Sequence, residues 1–192
     1  YFEAAAQVAL MDTGGTADRA RGDVHPAGDP HVNLDPVRMA EVAEALASRL
    51  GNLDADHRAA FRERAQAFRD EVEQRMPRWR DAVAEAPGVV AFHKDIGYLM
   101  ERLEVPVRGH LEPKPGIPPT ASHLRRLIDE LKGGEAGVVL RHPFHPREPV
   151  HKVADAAGWR TAALPLDPKL DAEAADYFGL IDDYVAAIAG SR

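Results

Sequence analysis

Gly88-Val89-Val90-Ala91-Phe92-His93 is the stretch that decides the fold. Pro87 and Gly88 mark a turn, and the apolar run after them leaves no polar face, as in a strand covered on both sides. The pattern recurs downstream. Val105 to Glu112, Gly137-Val138-Val139-Leu140 and Thr161 to Leu166 read as three more strands. Between them, residues 95–104, 120–132 and 147–157 read as helices. Leu124, Leu127, Ile128 and Leu131 share one face of the middle helix, and Gly133-Gly134 and Gly158 supply the stops. A last helix over 172–189 turns Phe178, Ile181, Tyr184, Val185 and Ile188 inward. Four β–α units in series predict an α/β fold, a parallel four-stranded sheet flanked by helices.

Upstream the grammar is helical. Phe61, Ala65, Phe68, Val72, Met76, Trp79 and Val83 recur at steps of three and four, predicting one long helix that starts near Asp54 or Asp56. Pro77 lies inside it and predicts a kink or a break, because proline removes a backbone donor and crowds the preceding turn. Before it, Asp35 caps a helix with Pro36 at its first position, and Met39, Val42, Leu46 and Leu50 form its buried stripe. Residues 12–33 are rich in Gly, Asp and Pro and read as loop. The expected organisation is therefore a first-lobe remnant with one helix (1–53), a long connecting helix (54–86) and a carboxyl-terminal α/β lobe (87–192).

Composition narrows the function. The 192 residues are 45% hydrophobic and 29% charged, a globular balance. The net charge of −7 argues against non-specific nucleic-acid binding, and no polybasic membrane patch is visible. No apolar run is long enough for a membrane span. Tyr1-Phe2-Glu3 opens no signal-peptide pattern, as in a trimmed chain or in an exported one whose leader has been removed. With no cysteine, disulfides, thiolate zinc sites and cysteine nucleophiles are excluded. No G-x-x-x-x-G-K, H-E-x-x-H or G-x-S-x-G motif occurs, which weighs against nucleotide-dependent and serine-hydrolase chemistry.

In a parallel sheet, ligands bind beyond the carboxyl ends of the strands. Here those ends carry His93, then His110 and Glu112, then Arg141 and His142, then Asp167. Imidazole and carboxylate are what a cysteine-free chain would offer zinc or manganese. The other histidines read more plainly. His57 lies on the polar side of the long helix and is structural, and His123 and His151 sit on helices as solvated residues. His142-Pro143-Phe144-His145 has chelate-like spacing constrained by proline. His25 and His31 flank a Gly-Asp-Pro turn, a weak signal by itself.

Gly28-Asp29-Pro30-His31-Val32-Asn33-Leu34-Asp35-Pro36 resembles the N-P-H-x-W-L-D-P segment of zinc/manganese ABC-transporter solute-binding proteins. Val90-Ala91-Phe92-His93, with Tyr98 beyond it, resembles that family's second segment, a strand ending in a metal-binding histidine. Glu112-Pro113-Lys114-Pro115-Gly116-Ile117-Pro118-Pro119 resembles the E-P-x-P-G-x-P-P loop of one branch, and Leu166-Asp167-Pro168 resembles the late L-D-P segment. Asp29 stands where the family has Asn, and Asn33 where it has Trp.

The resemblance implies two α/β lobes joined by a long helix and no catalysis. It implies His31 and His93 as metal ligands and Asp167 as the third, with Zn(II) preferred and Mn(II) possible. It further implies delivery to an ABC permease by a periplasmic or extracytoplasmic monomer. The short stretch before His31 leaves no room for a complete first lobe or its further ligand histidine. A more open site and a more mobile segment before the long helix are therefore expected, with the carboxyl half as the stable unit. Two rivals remain: a metal-dependent hydrolase using the same ligands with a base such as Glu112, and a metal-free remnant.

Overall fold

In the computed structural model, which describes residues 1–13, 27–114, 116–168 and 177–190, the four apolar runs pair into one parallel sheet. β1 is Val89–Ala91, β2 Val107–His110, β3 Val138–Arg141 and β4 Arg160–Ala163, arranged β2-β1-β3-β4. Val89 stands opposite both Val107 and Val138, and Leu140 opposite Ala162. β1 and β3 both begin next to glycine because their backbones converge there. A Cβ on Gly137 would sit 2.1 Å from the Gly88 carbonyl oxygen. The strands are shorter than the apolar runs that predict them. Phe92-His93 and Leu164 to Asp167 therefore lie past the strand ends, at the sheet's carboxyl edge.

The helices are α1 (Pro36–Leu53), α2 (Arg58–Val83), α3 (Gly97–Leu103), α4 (Ala121–Leu131), α5 (Glu148–Ala157) and α6 (Tyr177–Ala189). Alternation along the strands divides the core. Val89, Ala91, Val138 and Leu140 face α2, α3 and α6, packing with Met76, Trp79, Leu99, Leu103, Ile181 and Tyr184. Val90 and Val139 face α4 and α5, packing with Leu124, Leu127, Val150, Val153 and Trp159. The chain winds from β1 through α3 to β2, then returns through α4 to β3 on the other side of β1. The direction of winding reverses between β1 and β3, the place where such sheets open a crevice.

α2 runs through Pro77 without interruption, contrary to the break that the proline predicts. Met76 and Trp79 are buried on either side of it, and Trp79 Nε1 donates to Asp182 of α6 at 2.6 Å. Packing along that face outweighs the single backbone bond that proline removes.

α1 starts as expected. The Asp35 carboxylate accepts from the Val37 and Arg38 amides at 3.0 and 3.3 Å. Asp35 is also fully buried, and Arg102 of α3 grips it with two bonds of 3.0 Å. Residues 1–13 and 27–34 form single 3-10 turns at Ala5–Gln7 and Val32–Leu34 and, among the described residues, no strand. They are tied to α3 at Tyr98, whose hydroxyl donates to the Asp29 carbonyl at 2.5 Å and accepts from the Met11 amide at 2.8 Å. Among the described residues no helix is long and apolar enough to cross a membrane.

Candidate metal site

His31 enters the site on the turn after Asp29-Pro30. One Asp29 carboxylate oxygen accepts both its backbone N–H (2.9 Å) and its ring Nδ1 (2.5 Å). His93 enters from the end of β1. Its Nδ1 meets the Glu112 carboxylate at 2.6 Å, and the same oxygen accepts the Gly116 amide at 3.2 Å. Glu112 itself lies beyond β2, placed by its amide's bond to the Phe92 carbonyl. The two imidazoles meet edge to face with centroids 5.7 Å apart. In each ring a carboxylate engages Nδ1, which fixes the tautomer with Nδ1–H and makes Nε2 the atom that would meet a cation. A carboxylate behind an imidazole also raises its basicity as a ligand.

Asp167 lies in the loop after β4 and is exposed. Asn33, two residues beyond His31, donates its amide to the Leu166 carbonyl at 3.0 Å and to the Asp167 carboxylate at 3.3 Å. This ties the Asp167 loop to the His31 segment. Among the described residues, no three His, Asp or Glu side chains gather closely enough to hold a metal ion. Of the three ligands expected from sequence, His31 and His93 therefore come together, and Asp167 stands at one remove, joined through Asn33. His25 and Pro115 lie outside the described residues.

The remaining histidines are mostly committed elsewhere. His142, with its chelate-like spacing, faces two acceptors: Nε2 lies 2.9 Å from the Asp95 carboxylate and Nδ1 2.8 Å from the Leu164 carbonyl. Both nitrogens must donate, so the ring is an imidazolium with no lone pair for a metal. Burial opposes that charge, but the Asp95 hydrogen bond and negative charge outweigh it and hold the His142 pKa above its ordinary value. Burial likewise works to raise Asp95, and the contact with His142 reverses it to a net lowering. His145 stacks on Phe92, and its Nδ1 accepts the His142 amide at 3.2 Å. Burial, then the neighbouring His142 charge, depress its pKa.

His110 is pushed down to about 4, by burial first and Lys94 second. His123 is not simply solvated, as its place on a helix suggests, because its Nε2 bonds to the His110 carbonyl at 2.8 Å. His57 is exposed and pairs with Asp54 just before α2. Asp95 is the polar residue that sequence reasoning missed. It follows His93-Lys94 in a polar turn, and nothing local says which partner it meets.

The crevice between β1 and β3 is filled by these contacts. The cavity lined by Phe92, His93, Asp95, His142, His145 and Tyr184 measures about 10 Å³, at most the room one water needs.

The chain resembles several known proteins. It is 27% identical over 168 residues to the high-affinity zinc uptake system protein ZnuA of Brucella abortus, covering 85% of this chain and 48% of that one. It thus spans about half the length of the curated relatives it matches. It superposes on the laminin-binding adhesin Lmb of Streptococcus agalactiae with a TM-score of 0.82 at 22% identity, covering 99% of this chain and 70% of the other. The solute-binding protein FpvC of Pseudomonas aeruginosa, solved in complex with Mn2+, gives a TM-score of 0.77 at 22% identity, covering 99% and 68%. These structural likenesses establish a shared α/β fold. The family model described as "Zinc-uptake complex component A periplasmic" matches residues 2–191, and the chain belongs to that family.

Proposed function

We propose that this chain is the metal-capturing part of an ABC-transporter solute receptor that takes up Zn(II) as cargo, with Mn(II) as the alternative, and passes it to a membrane permease outside the cytoplasm. The observation that carries the reading is the His31–His93 pair, two imidazoles in contact with a carboxylate on each Nδ1. Asp167 is the third donor in this reading, supported by the bond with which Asn33 ties its loop to the His31 segment. Nitrogen donors backed by carboxylates favour zinc over manganese, which prefers an oxygen shell. Residues 1–53, 54–86 and 87–192 act in this reading as first-lobe segment, connecting helix and carboxyl lobe. The hydrolase alternative needs a carboxylate facing an open water position. Glu112 is instead engaged by His93 and the Gly116 amide.

Zinc titration of the metal-stripped chain tests the reading. His31→Ala, His93→Ala and Asp167→Ala should each weaken binding at least tenfold, about 1.4 kcal/mol, whereas His57→Ala should leave it unchanged. Equal losses in all four would show that the ligands lie elsewhere. Because a metal needs neutral imidazole, affinity should also decline as the solution is acidified.

A further inference from the structure

We propose that His142 and Asp95 form a positioning pair that sets the separation between the His93 loop and the Asp167 loop. The inference rests on the reading of His93 and Asp167 as ligands. His142 follows β3, on the edge between β1 and β4, so it stands between the two loops. Its Nε2–H reaches Asp95, two residues past His93, at 2.9 Å. Its Nδ1–H reaches the carbonyl of Leu164, three residues before Asp167, at 2.8 Å.

Further contacts brace the same assembly. The Tyr184 hydroxyl donates to the Pro165 carbonyl at 3.1 Å, steadying the Asp167 loop from α6. The His145 ring lies on Phe92, the residue before His93, at 4.1 Å and 17°. Arg141 fastens the loop carrying both histidines by donating to the His142 and His145 carbonyls at 2.8 and 3.2 Å. His142-Pro143-Phe144-His145 thus touches the residues on both sides of His93 and the approach to Asp167, without itself offering a ligand.

The burial of the pair points the same way. Asp95 is 5% and His142 3% exposed. A buried ion pair is weak support for stability, because apolar residues of similar size commonly do as well. What it supplies here is direction, with two charge-assisted bonds of fixed geometry aimed at two different loops.

Two substitutions separate the arms. Asn places its amide nitrogen where Nδ1 stands, so His142→Asn keeps the Leu164 bond and loses Asp95. Gln places its nitrogen near Nε2, so His142→Gln keeps Asp95 and loses Leu164. Each should weaken zinc binding about tenfold, the low end for groups that hold ligands from behind. Each should also shift the visible bands of Co(II) bound in place of zinc, which report ligand geometry. Asp95→Ala should match His142→Asn and serves if a His142 variant does not fold. Melting of the metal-free proteins is recorded in parallel.

Zinc affinity within twofold of the parent, with unchanged Co(II) bands, in the variants that fold would overturn the proposal, even if they melt lower. The pair would then be packing alone. A parent chain that takes up no zinc would instead overturn the receptor reading on which the proposal stands.

Discussion

His110 makes the folded chain sensitive to acid, and the size of the effect can be worked out. Burial holds its imidazole neutral, with a pKa near 4, against about 6.5 for an unfolded histidine. A depressed pKa means that the unfolded chain binds the proton first. The stability associated with neutral His110 is complete above pH 6.5 and drains away as pH falls toward 4. Between pH 8 and pH 5 the loss is about 2 kcal/mol, or about 4–8 °C in Tm for a chain of this length.

The measurement is urea unfolding of metal-free protein at pH 8, 6.5 and 5, followed by the fluorescence of Trp79 and Trp159, both buried. His110→Gln is the comparison, since it stays neutral at every pH. The raised pKa of His142 acts in the opposite sense, its contribution being present below pH 6.5 and lost as pH rises through the folded value. It is common to both proteins and cancels in the difference. The gap between parent and variant should move by about 2 kcal/mol in favour of the variant from pH 8 to pH 5. A gap constant to within about 0.5 kcal/mol, the usual scatter for a substitution without effect, would refute the assignment of His110 as a half-buried neutral base.

Three further outcomes are expected. Glu112→Ala, which frees the His93 Nδ1 and the Gly116 amide, should weaken zinc binding about 10–100-fold in a competition titration. Asp35→Ala should destabilise the chain by about 3 kcal/mol, read as a lower urea midpoint, because it strips a helix cap and leaves Arg38 and Arg102 without their buried carboxylate. Zinc at a hundred times its Kd should stabilise the parent by about 2.7 kcal/mol in a thermal melt, and the His31→Ala/His93→Ala double variant should show no such shift.

The sheet was legible because its signal is local. Val89 to Phe92 and Gly137 to Leu140 have no polar face, and a strand covered on both sides requires that pattern. Strand ends were less legible. Phe92 and Leu164 have the chemistry of strand residues and still bond to the Leu140 and Arg141 carbonyls of β3, but they lie one residue past the regular pairing. Pro77 does not break α2 because its effect is local while the force holding the helix is not: Trp79 and Met76 are fixed by residues of α6 and the sheet, far away in sequence.

The site divides in the same way. His93 could be singled out from its place at a strand end, whereas His31 stood out only through the family resemblance. The behaviour of His142 could not. Its spacing to His145 suggests a chelate, and only the positions of Asp95 and Leu164, each on a different loop, show that both nitrogens are donors.

The segment around His31 contains more polar residues than a metal could touch, and the structure assigns the surplus. Asp29 orients the His31 ring. Asn33 fastens the Asp167 loop. Asp35 caps α1 and receives Arg102 from α3, and Arg38 lies over the Tyr98 ring, whose hydroxyl holds the Asp29 backbone. The bonds of Asn33 to Asp167, of Arg102 to Asp35 and of Tyr98 to Asp29, with the Arg38–Tyr98 contact, run from the His31 segment and the start of α1 to the lobe that carries His93 and Asp167. A two-histidine site needs its nitrogens within about 4 Å of each other around zinc, a tolerance that a loop without strands could not meet by itself. In the proposed receptor the polar ties supply that precision, letting a ligand from the amino-terminal segment serve with one from the sheet edge, even though 1–13 and 27–34 contribute no strand of their own.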